Sequence, residues 1–411
     1  MMIFEPKSIS GNVAAIPAKA EAHRALIAAA LADKPTLVRN LSKMSNDILA
    51  TLNALCALGA KFERTADGVL MTPIHDVPSE AVVDCGESGS TLRFLLPVIS
   101  ALVHGGKRVH VTGGGRLPER PMSDLLRVLR NHGAAIDGDK LPFEVTGELT
   151  AGTYELPGNV SSQYVTGLMF TLPLLNGDSK IRLTTPLEST GYVDMTKKTL
   201  SLFDVQAEGL VKGGQKFRSP REIMVGGDWS NAAMWLAAGA LSGPVTMTGL
   251  DMDSAQGDRA IVDILRQFGA IVTIEDNAIT VSRGTLKGIE LDMRDIPDLL
   301  PVLSIVAAVA DGETRFVNAG RLRLKESDRL ATVAALLKAL GGKVEDGPDW
   351  LAVQGTGRLK GGECEIANDH RLVMAAVLAS CISEESVQFD GFKAIDKSYP
   401  TFMEDYRKLE K

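Results

Sequence analysis

Residues 82–102 read VVDCGESGSTLRFLLPVISAL. A short β-like run meets a turn of small and polar residues, and an apolar run long enough for three helical turns follows. The same element returns five times, as VAAIPAKAEAHRALIAAAL (13–31), YELPGNVSSQYVTGLMFTLPLL (154–175), IMVGGDWSNAAMWLAAGAL (223–241), IELDMRDIPDLLPVLSIVAAV (289–309) and CEIANDHRLVMAAVLAS (364–380). One turn residue from each, Pro17, Gly86, Gly158, Gly227, Asp298 and Asn368, gives steps of 69, 72, 69, 71 and 70 residues. A constant period of this kind marks an internal structural repeat.

A second helix follows in most copies: DILATLNALCALGAKFE, DLLRVLRNHGAAID, DILRQFGAIVTI and TVAALLKALGGKVE. Apolar spacings of three and four make these stretches helical, and the glycine after the last apolar residue is a stop signal. In the third copy, KKTLSLFDVQAE, Asp204-Val205 stands in place of that glycine; the sixth copy reads as truncated. Each unit is therefore strand–helix–strand–helix–strands. The first helix is apolar all round and belongs in an interior, and the second is amphipathic. The predicted fold class is α/β, with two similar domains of three βαβαββ-like repeats each. At 411 residues, two cores are also what the length favours.

The net charge of −7 gives no global attraction to nucleic acid or to an anionic membrane, so neither is an expected partner. Four scattered cysteines (56, 85, 364, 381) form no CxxC pair and read as free thiols. The start MMIFEPKSISGNV has no apolar run of a signal peptide, and Leu299–Ala310 is too short to span a bilayer. A cytoplasmic protein is expected.

Each first helix begins at a polar turn, and helix N-termini carry unpaired N–H groups and partial positive charge. Three such starts on one face of each domain make an anion site the natural expectation. Anion-binding side chains cluster at these turns: Lys19 and Arg24, Arg93, Lys325 and Arg329, and Arg371. Arg120 follows the glycines of GGGRLPERP, and Lys397 lies in DKSYPTF. NVSSQ holds Ser161, Ser162 and Gln163; ESTGY holds Ser189 and Tyr192; Asp298 and Glu326 are carboxylates. Taken singly, Ser161 and Ser162 read as a plain cap, Arg93 as a salt-bridge partner and Asp298 as a cap after Pro297. RLKESDRL (323–330) reads alone as a solvated helix start with Ser327 or Asp328 as its cap. No metal cluster, Walker loop or Ser-His-Asp order is present, so no metal or cofactor is expected.

The six-unit layout, with KAEAHR, GESGSTLR, RLPERP, NVSSQ, STGY, DIPD, LKESDRL, NDHR and DKSYPTF in order along essentially the whole chain, resembles the enolpyruvyl transferases, in particular the branch that acts on shikimate 3-phosphate. The resemblance implies an inside-out α/β barrel of two domains, residues 1–17 plus 228–411 and residues 18–227, with the active site in the interdomain cleft. It implies a cytoplasmic monomer of the shikimate pathway. The reaction implied moves the enolpyruvyl group of phosphoenolpyruvate to the 5-hydroxyl of shikimate 3-phosphate through a tetrahedral intermediate and releases phosphate. Carried over by position, Lys19 would touch both substrates and help the proton transfers, and Arg24 would hold the shikimate carboxylate. Ser161, Ser162 and Ser189, with Lys325 nearby, would take the shikimate phosphate. Gln163 would reach both ligands, and Tyr192 would line the shikimate pocket. Arg120, Arg329, Arg371 and Lys397 would grip phosphoenolpyruvate beside the Gly89 backbone. Asp298 would accept the hydroxyl proton. Glu326, with Lys397, would protonate the methylene, Lys325 and Arg329 flanking it.

Two positions depart from the family pattern. Ala18-Lys19-Ala20 stands where Ser-Lys-Ser is common, and Arg321 stands where a small polar residue is usual. Ala20→Ser is expected to tighten shikimate 3-phosphate binding, one hydrogen bond contributing about 0.5–1.5 kcal/mol; an unchanged dissociation constant in calorimetry would count against it. The transferase acting on a UDP-amino sugar usually carries a cysteine in the loop that here reads TGGGRLPERP, and none lies there. A non-catalytic anion-binding paralogue would have no reason to keep Asp298, Glu326 and Lys397.

Overall fold

The computed structural model describes residues 1–410. The chain divides into two compact units, one of Met1–Ile16 with Gly227 onward and the other of Pro17–Gly226. The chain passes between them one residue earlier, at each crossing, than the sequence reading places it. Each unit has its own hydrophobic core.

Among the described residues, twelve α-helices carry the repeat. The first helices of the six copies are α1 (Lys19–Leu31), α3 (Gly89–Leu102), α5 (Ser162–Thr171), α7 (Trp229–Leu241), α9 (Leu300–Val309) and α11 (His370–Ser380). The second helices are α2 (Asn46–Ala57), α4 (Ser123–Asn131), α6 (Thr190–Leu202), α8 (Ile261–Phe268), α10 (Arg329–Ala339) and α12 (Phe402–Leu409). The first helices are buried on nearly every side, as their uniform apolar composition requires. In one unit α3 packs on α5 and α1, and in the other α7, α9 and α11 pack on one another. The α3–α5 contact is close enough to demand glycine: a Cβ on Gly167 would lie 2.4 Å from the Arg93 carbonyl oxygen.

Among the described residues the strands form six small sheets, one per copy. In the second copy, Glu80–Asp84 runs parallel to Arg108–Thr112 across α3, and the hairpin Ala134–Ile136/Phe143–Gly147 joins antiparallel. The fifth copy repeats this order with Glu290–Asp292, Glu313–Val317, Lys343–Asp346 and Leu351–Gln354. The third copy stops at three strands, its last being only Leu210–Val211. The sixth copy also has three strands, one of them supplied by the start of the chain: Met2–Phe4 pairs antiparallel with Val387–Phe389, which runs parallel to Gly362–Glu363. Phe4 then stacks on Phe389 with ring centroids 5.6 Å apart.

Copies one and four exchange their leading strands. Gly11–Ala14 precedes α1 in sequence but pairs with Val245–Thr248, beside α7. Glu222–Met224 precedes α7 but pairs with Thr36–Arg39, beside α1. Each chain crossing is thus a strand left behind in one unit while its helix enters the other.

Local signals behave as their chemistry dictates. The glycines ending the second helices, Gly59, Gly133, Gly269 and Gly341, all have positive φ, between 84° and 105°. Asp204 takes the same left-handed conformation, φ 60°, in the third copy. Aspartate is among the few residues that visit this region at modest cost. Four first helices carry a side-chain N-cap: Ser88 on Thr91 N, Ser161 on Gln163 N, Asp228 on Asn231 N and Asp369 on Arg371 N. Ala18 occupies the cap position of α1 and makes no such bond. Ala18→Ser is therefore expected to stabilise the protein by roughly 0.5–1 kcal/mol, read as a higher urea midpoint; an unchanged or lower midpoint would refute it.

Candidate active site

In the unit Pro17–Gly226, the residues expected at the site sit at or beside helix starts. Lys19 opens α1, and its ammonium lies 2.8 Å from Asp47 Oδ2 at the start of α2. Gln163, in the first turn of α5, accepts from Arg93 Nη1 at 2.8 Å and donates to Ser90 Oγ at 3.0 Å. Arg93 also donates to the Pro121 carbonyl at 3.0 Å and lies over the Tyr164 ring. Arg93 thereby fixes Gln163 and the end of RLPERP. Arg120 is buried against the start of α3, where a Cβ on Gly89 would fall 2.7 Å from Arg120 Nη1. Gly89 is thus what lets that guanidinium approach.

Ser161 is the cap of α5, accepting from Gln163 N at 3.3 Å, so its capping reading holds locally. Ser162 is the first residue of α5 and is buried. Ser189 is buried at the start of α6 with φ 56°, a left-handed conformation costly for serine. Tyr192 follows one turn on, and its carbonyl accepts from Arg24 Nη2 at 2.9 Å.

Arg24 is 1% exposed. It donates to Thr196 at 2.8 Å, to the Ala20 carbonyl at 2.7 Å and to Thr166 at 3.3 Å as well. Burial pushes its guanidinium down to about 10, against the opposing pull of Tyr192 and Glu21. Most of its donors are therefore engaged within the helix packing. His23, one residue earlier, is bonded to Thr51 at 2.7 Å. Burial, then Lys19 and Arg24, hold it well below the usual imidazole range, so it is a neutral packing residue.

In the other unit, α9 and α10 bring acids and cations together. Asp298 lies in the single turn before α9. It accepts from Arg329 Nη1 at 2.6 Å, with Lys325 Nζ 3.7 Å and Arg371 Nη2 3.9 Å away. Arg329 opens α10 and is 1% exposed. Its remaining donors bind Glu326 at 2.9 Å and Asp369 at 2.8 and 3.2 Å. Asp328 caps α10 through Ala331 N at 3.1 Å and accepts from Arg323 Nη1 with both carboxylate oxygens, at 2.8 and 2.9 Å. RLKESDRL thus divides its charges, with Asp328 and Arg323 structural and Lys325, Glu326 and Arg329 turned to the acid cluster. Lys397 is buried and donates to the Asn368 carbonyl at 2.7 Å, beside α11.

Burial alone would raise the Asp298 carboxyl, but Lys325, Arg329 and Arg371 outweigh it and hold it well below the usual range. The cluster therefore keeps Asp298 ionised. Burial also works against the Arg329 cation, but Asp369, Glu326 and Asp298 hold it firmly protonated. Lys325 is pushed down to about 8, by burial first and then by Arg329 and Arg321, against Asp298 and Glu326. Arg321 itself donates to the Arg294 carbonyl at 3.0 Å.

Three acidic neighbours of these residues escaped the sequence reading. Asp47 is the Lys19 partner. Asp369 ties Arg329 to the start of α11, lying inside the quoted NDHR with no mark of its own. Asp258 lies buried close to Asp298 and Arg371. Its one sequence signal is positional: Asp47, Asp258 and Asp328 fall 30, 31 and 30 residues after the turn residues of their copies.

The model of the family described as EPSP synthase (3-phosphoshikimate 1-carboxyvinyltransferase) matches residues 3–406. A 3-phosphoshikimate 1-carboxyvinyltransferase of Clostridium acetobutylicum is 41% identical, the match covering 99% of this chain and 96% of the relative. One of Clostridium beijerinckii is 40% identical over 98% of this chain and 96% of its own. Among solved structures, EPSP synthase from Acinetobacter baumannii superposes with a TM-score of 0.81 at 27% identity, covering 99% of this chain and 98% of that one. The enolpyruvyl transferase NikO from Streptomyces tendae, at 20% identity and a TM-score of 0.78, shares the fold over 99% of this chain and 96% of its own. Among the described residues no helix is long and apolar enough to cross a membrane.

Proposed function

The chain belongs to the EPSP synthase (3-phosphoshikimate 1-carboxyvinyltransferase) family, and we propose that it transfers the enolpyruvyl group of phosphoenolpyruvate to the 5-hydroxyl of shikimate 3-phosphate with release of phosphate. It does so in the shikimate pathway, leading to chorismate and the aromatic amino acids, as a cytoplasmic monomer. The observation that carries this reading is the cluster of Asp298, Glu326, Lys325, Arg329 and Arg371, an ionised carboxylate and a second acid held among cations. Addition–elimination between two anionic substrates needs that combination of proton transfer and positive charge.

In this reading Lys19, Arg24, Ser161, Ser162, Gln163, Ser189, Tyr192 and Lys325 bind shikimate 3-phosphate. Arg120, Arg329, Arg371, Lys397, Lys19, Gln163 and the Gly89 backbone bind phosphoenolpyruvate. Asp298 takes the 5-hydroxyl proton as the oxygen bonds to C2 of phosphoenolpyruvate. Glu326, with Lys397, delivers a proton to the C3 methylene, giving a tetrahedral ketal phosphate. Glu326, left as the carboxylate, then takes a C3 proton as the bond from C2 to the phosphate oxygen breaks, which expels phosphate and forms the enol ether.

The electrostatics give the binding step a further task. Asp298 is a weak base while three cations surround it. Substrate phosphate and carboxylate oxygens neutralise those cations and so raise its proton affinity.

The test is phosphate release from phosphoenolpyruvate with and without shikimate 3-phosphate, with Glu326→Gln as control. Release that needs the second substrate and is lost in the control supports the assignment; none at saturating substrates overturns it. Lys325 adds a pH dependence. An anion favours the protonated amine, so bound Lys325 has the higher pKa. Shikimate 3-phosphate affinity is then level below pH about 8 and falls above it, by up to about tenfold per unit until the raised value is passed. Calorimetry from about pH 7 to about pH 9.5 reads this; a flat profile would exclude Lys325 from the phosphate site.

A further inference from the structure

Asp258 is an ionisable group with no step in the reaction above, and it is 2% exposed. It lies in the turn Gly257–Ala260 ahead of α8. Its Oδ2 accepts a hydrogen bond from the Ser230 hydroxyl. Ser230 is the second residue of α7, and its backbone carbonyl accepts from Arg371 Nη1 at 2.7 Å. The same nitrogen lies 3.5 Å from Asn231 Oδ1, while the buried Arg371 Nε has no hydrogen-bond acceptor. Arg371 is therefore located chiefly by the first turn of α7.

That turn is laced from outside by the segment holding Asp258. Gln256 accepts from Trp229 N at 3.0 Å and donates to the Gly227 carbonyl at 2.9 Å. The first copy has a counterpart, since Asp47 holds Lys19 at the start of α1. In both copies an aspartate entering the second helix fixes a polar group at the start of the first.

We propose that Asp258 is a positioning residue for phosphoenolpyruvate binding, acting through Ser230 on Arg371. The proposal rests on the reading in which Arg371 grips that substrate. It makes Gln256–Asp258 a support for the guanidinium, set on a different copy from the arginine itself.

The charge of Asp258 supplies a signature. Burial pushes its carboxyl up to about 7, Asp298 and Asp228 adding to the rise while the Ser230 hydrogen bond and Arg371 oppose it. Those four groups face it. As the neutral acid, its carbonyl oxygen still accepts from Ser230. As the carboxylate, it competes with the substrate anion for Arg371. KM for phosphoenolpyruvate should then rise between about pH 6 and about pH 8.

The experiment is steady-state kinetics of the full chain with each substrate varied. Asp258→Ala and Ser230→Ala should each raise KM for phosphoenolpyruvate about tenfold, a common result of slight misplacement, with KM for shikimate 3-phosphate within about twofold of the parent. Asp258→Asn keeps an acceptor for Ser230 and should restore KM for phosphoenolpyruvate to within about threefold at about pH 6, without the rise toward pH 8. Equal changes in both KM values, no change in either, or a rise with pH that survives Asp258→Asn would each overturn the proposal. Should Asp258→Ala fail to fold, Ser230→Ala and Asp258→Asn decide it. A parent protein that releases no phosphate removes the reading and the proposal together; an active parent with insensitive variants removes the proposal alone.

Discussion

Asp298→Asn is expected to slow shikimate 3-phosphate-dependent phosphate release by about 10²–10⁴-fold in kcat, the usual contribution of a positioned base. The substitution is close to isosteric. Its amide oxygen can still accept from Arg329 Nη1, which now donates to Asp298 at 2.6 Å, so the turn before α9 should survive. What is lost is the proton acceptor. The charge balance also shifts, because Lys325, Arg329 and Arg371 lose a shared counter-charge. Anion binding should therefore hold or tighten, and KM for phosphoenolpyruvate should stay level or fall while kcat collapses. That split separates a base from a binding residue. A kcat within about tenfold of the parent would remove Asp298 from the chemistry.

Arg329→Met has the largest expected effect on stability, a loss of about 3–5 kcal/mol, as when one partner of a buried ion pair is removed. The side chain has similar length, so little cavity opens. Its carboxylate partners are the difficulty. Asp369 is fully buried, caps α11 and receives Ser327 Oγ at 2.9 Å, so it cannot turn to water without undoing that helix start. Urea denaturation should show the loss near neutral pH and a smaller one in acid, where the stranded carboxyls protonate. Arg329→Lys should fall between, since an ammonium keeps the charge but cannot fork to three acids. A loss below about 1 kcal/mol would mean that the network relaxes without its arginine.

The helix and turn pattern was legible in the chain because its signals are local. The apolar first helices, the glycines after the second helices and the steps near 70 residues each depend on residues close in sequence. The substitution of Asp204 for a terminal glycine was visible too, and its left-handed φ is what that place required. Motif chemistry was legible to the same extent: Asp298, Lys325, Glu326, Arg329 and Arg371 could be named because acids and bases recur at helix starts. Their partners were not. Asp369 and Asp258 look like ordinary helix-start aspartates, and Arg24 like a free cation rather than one bound into helix packing.

The sequence alone thus determined the six copies, the burial of their first helices and the polar turns where chemistry gathers, since propensity, capping and periodicity act over a few residues. Only the tertiary structure decided that Gly11–Ala14 and Glu222–Met224 exchange partners, that Met2–Phe4 completes the sixth sheet, and that one arginine binds three carboxylates. Strand pairing and buried charge depend on which distant groups can satisfy each other's hydrogen bonds away from water, and that choice is made in space rather than along the chain.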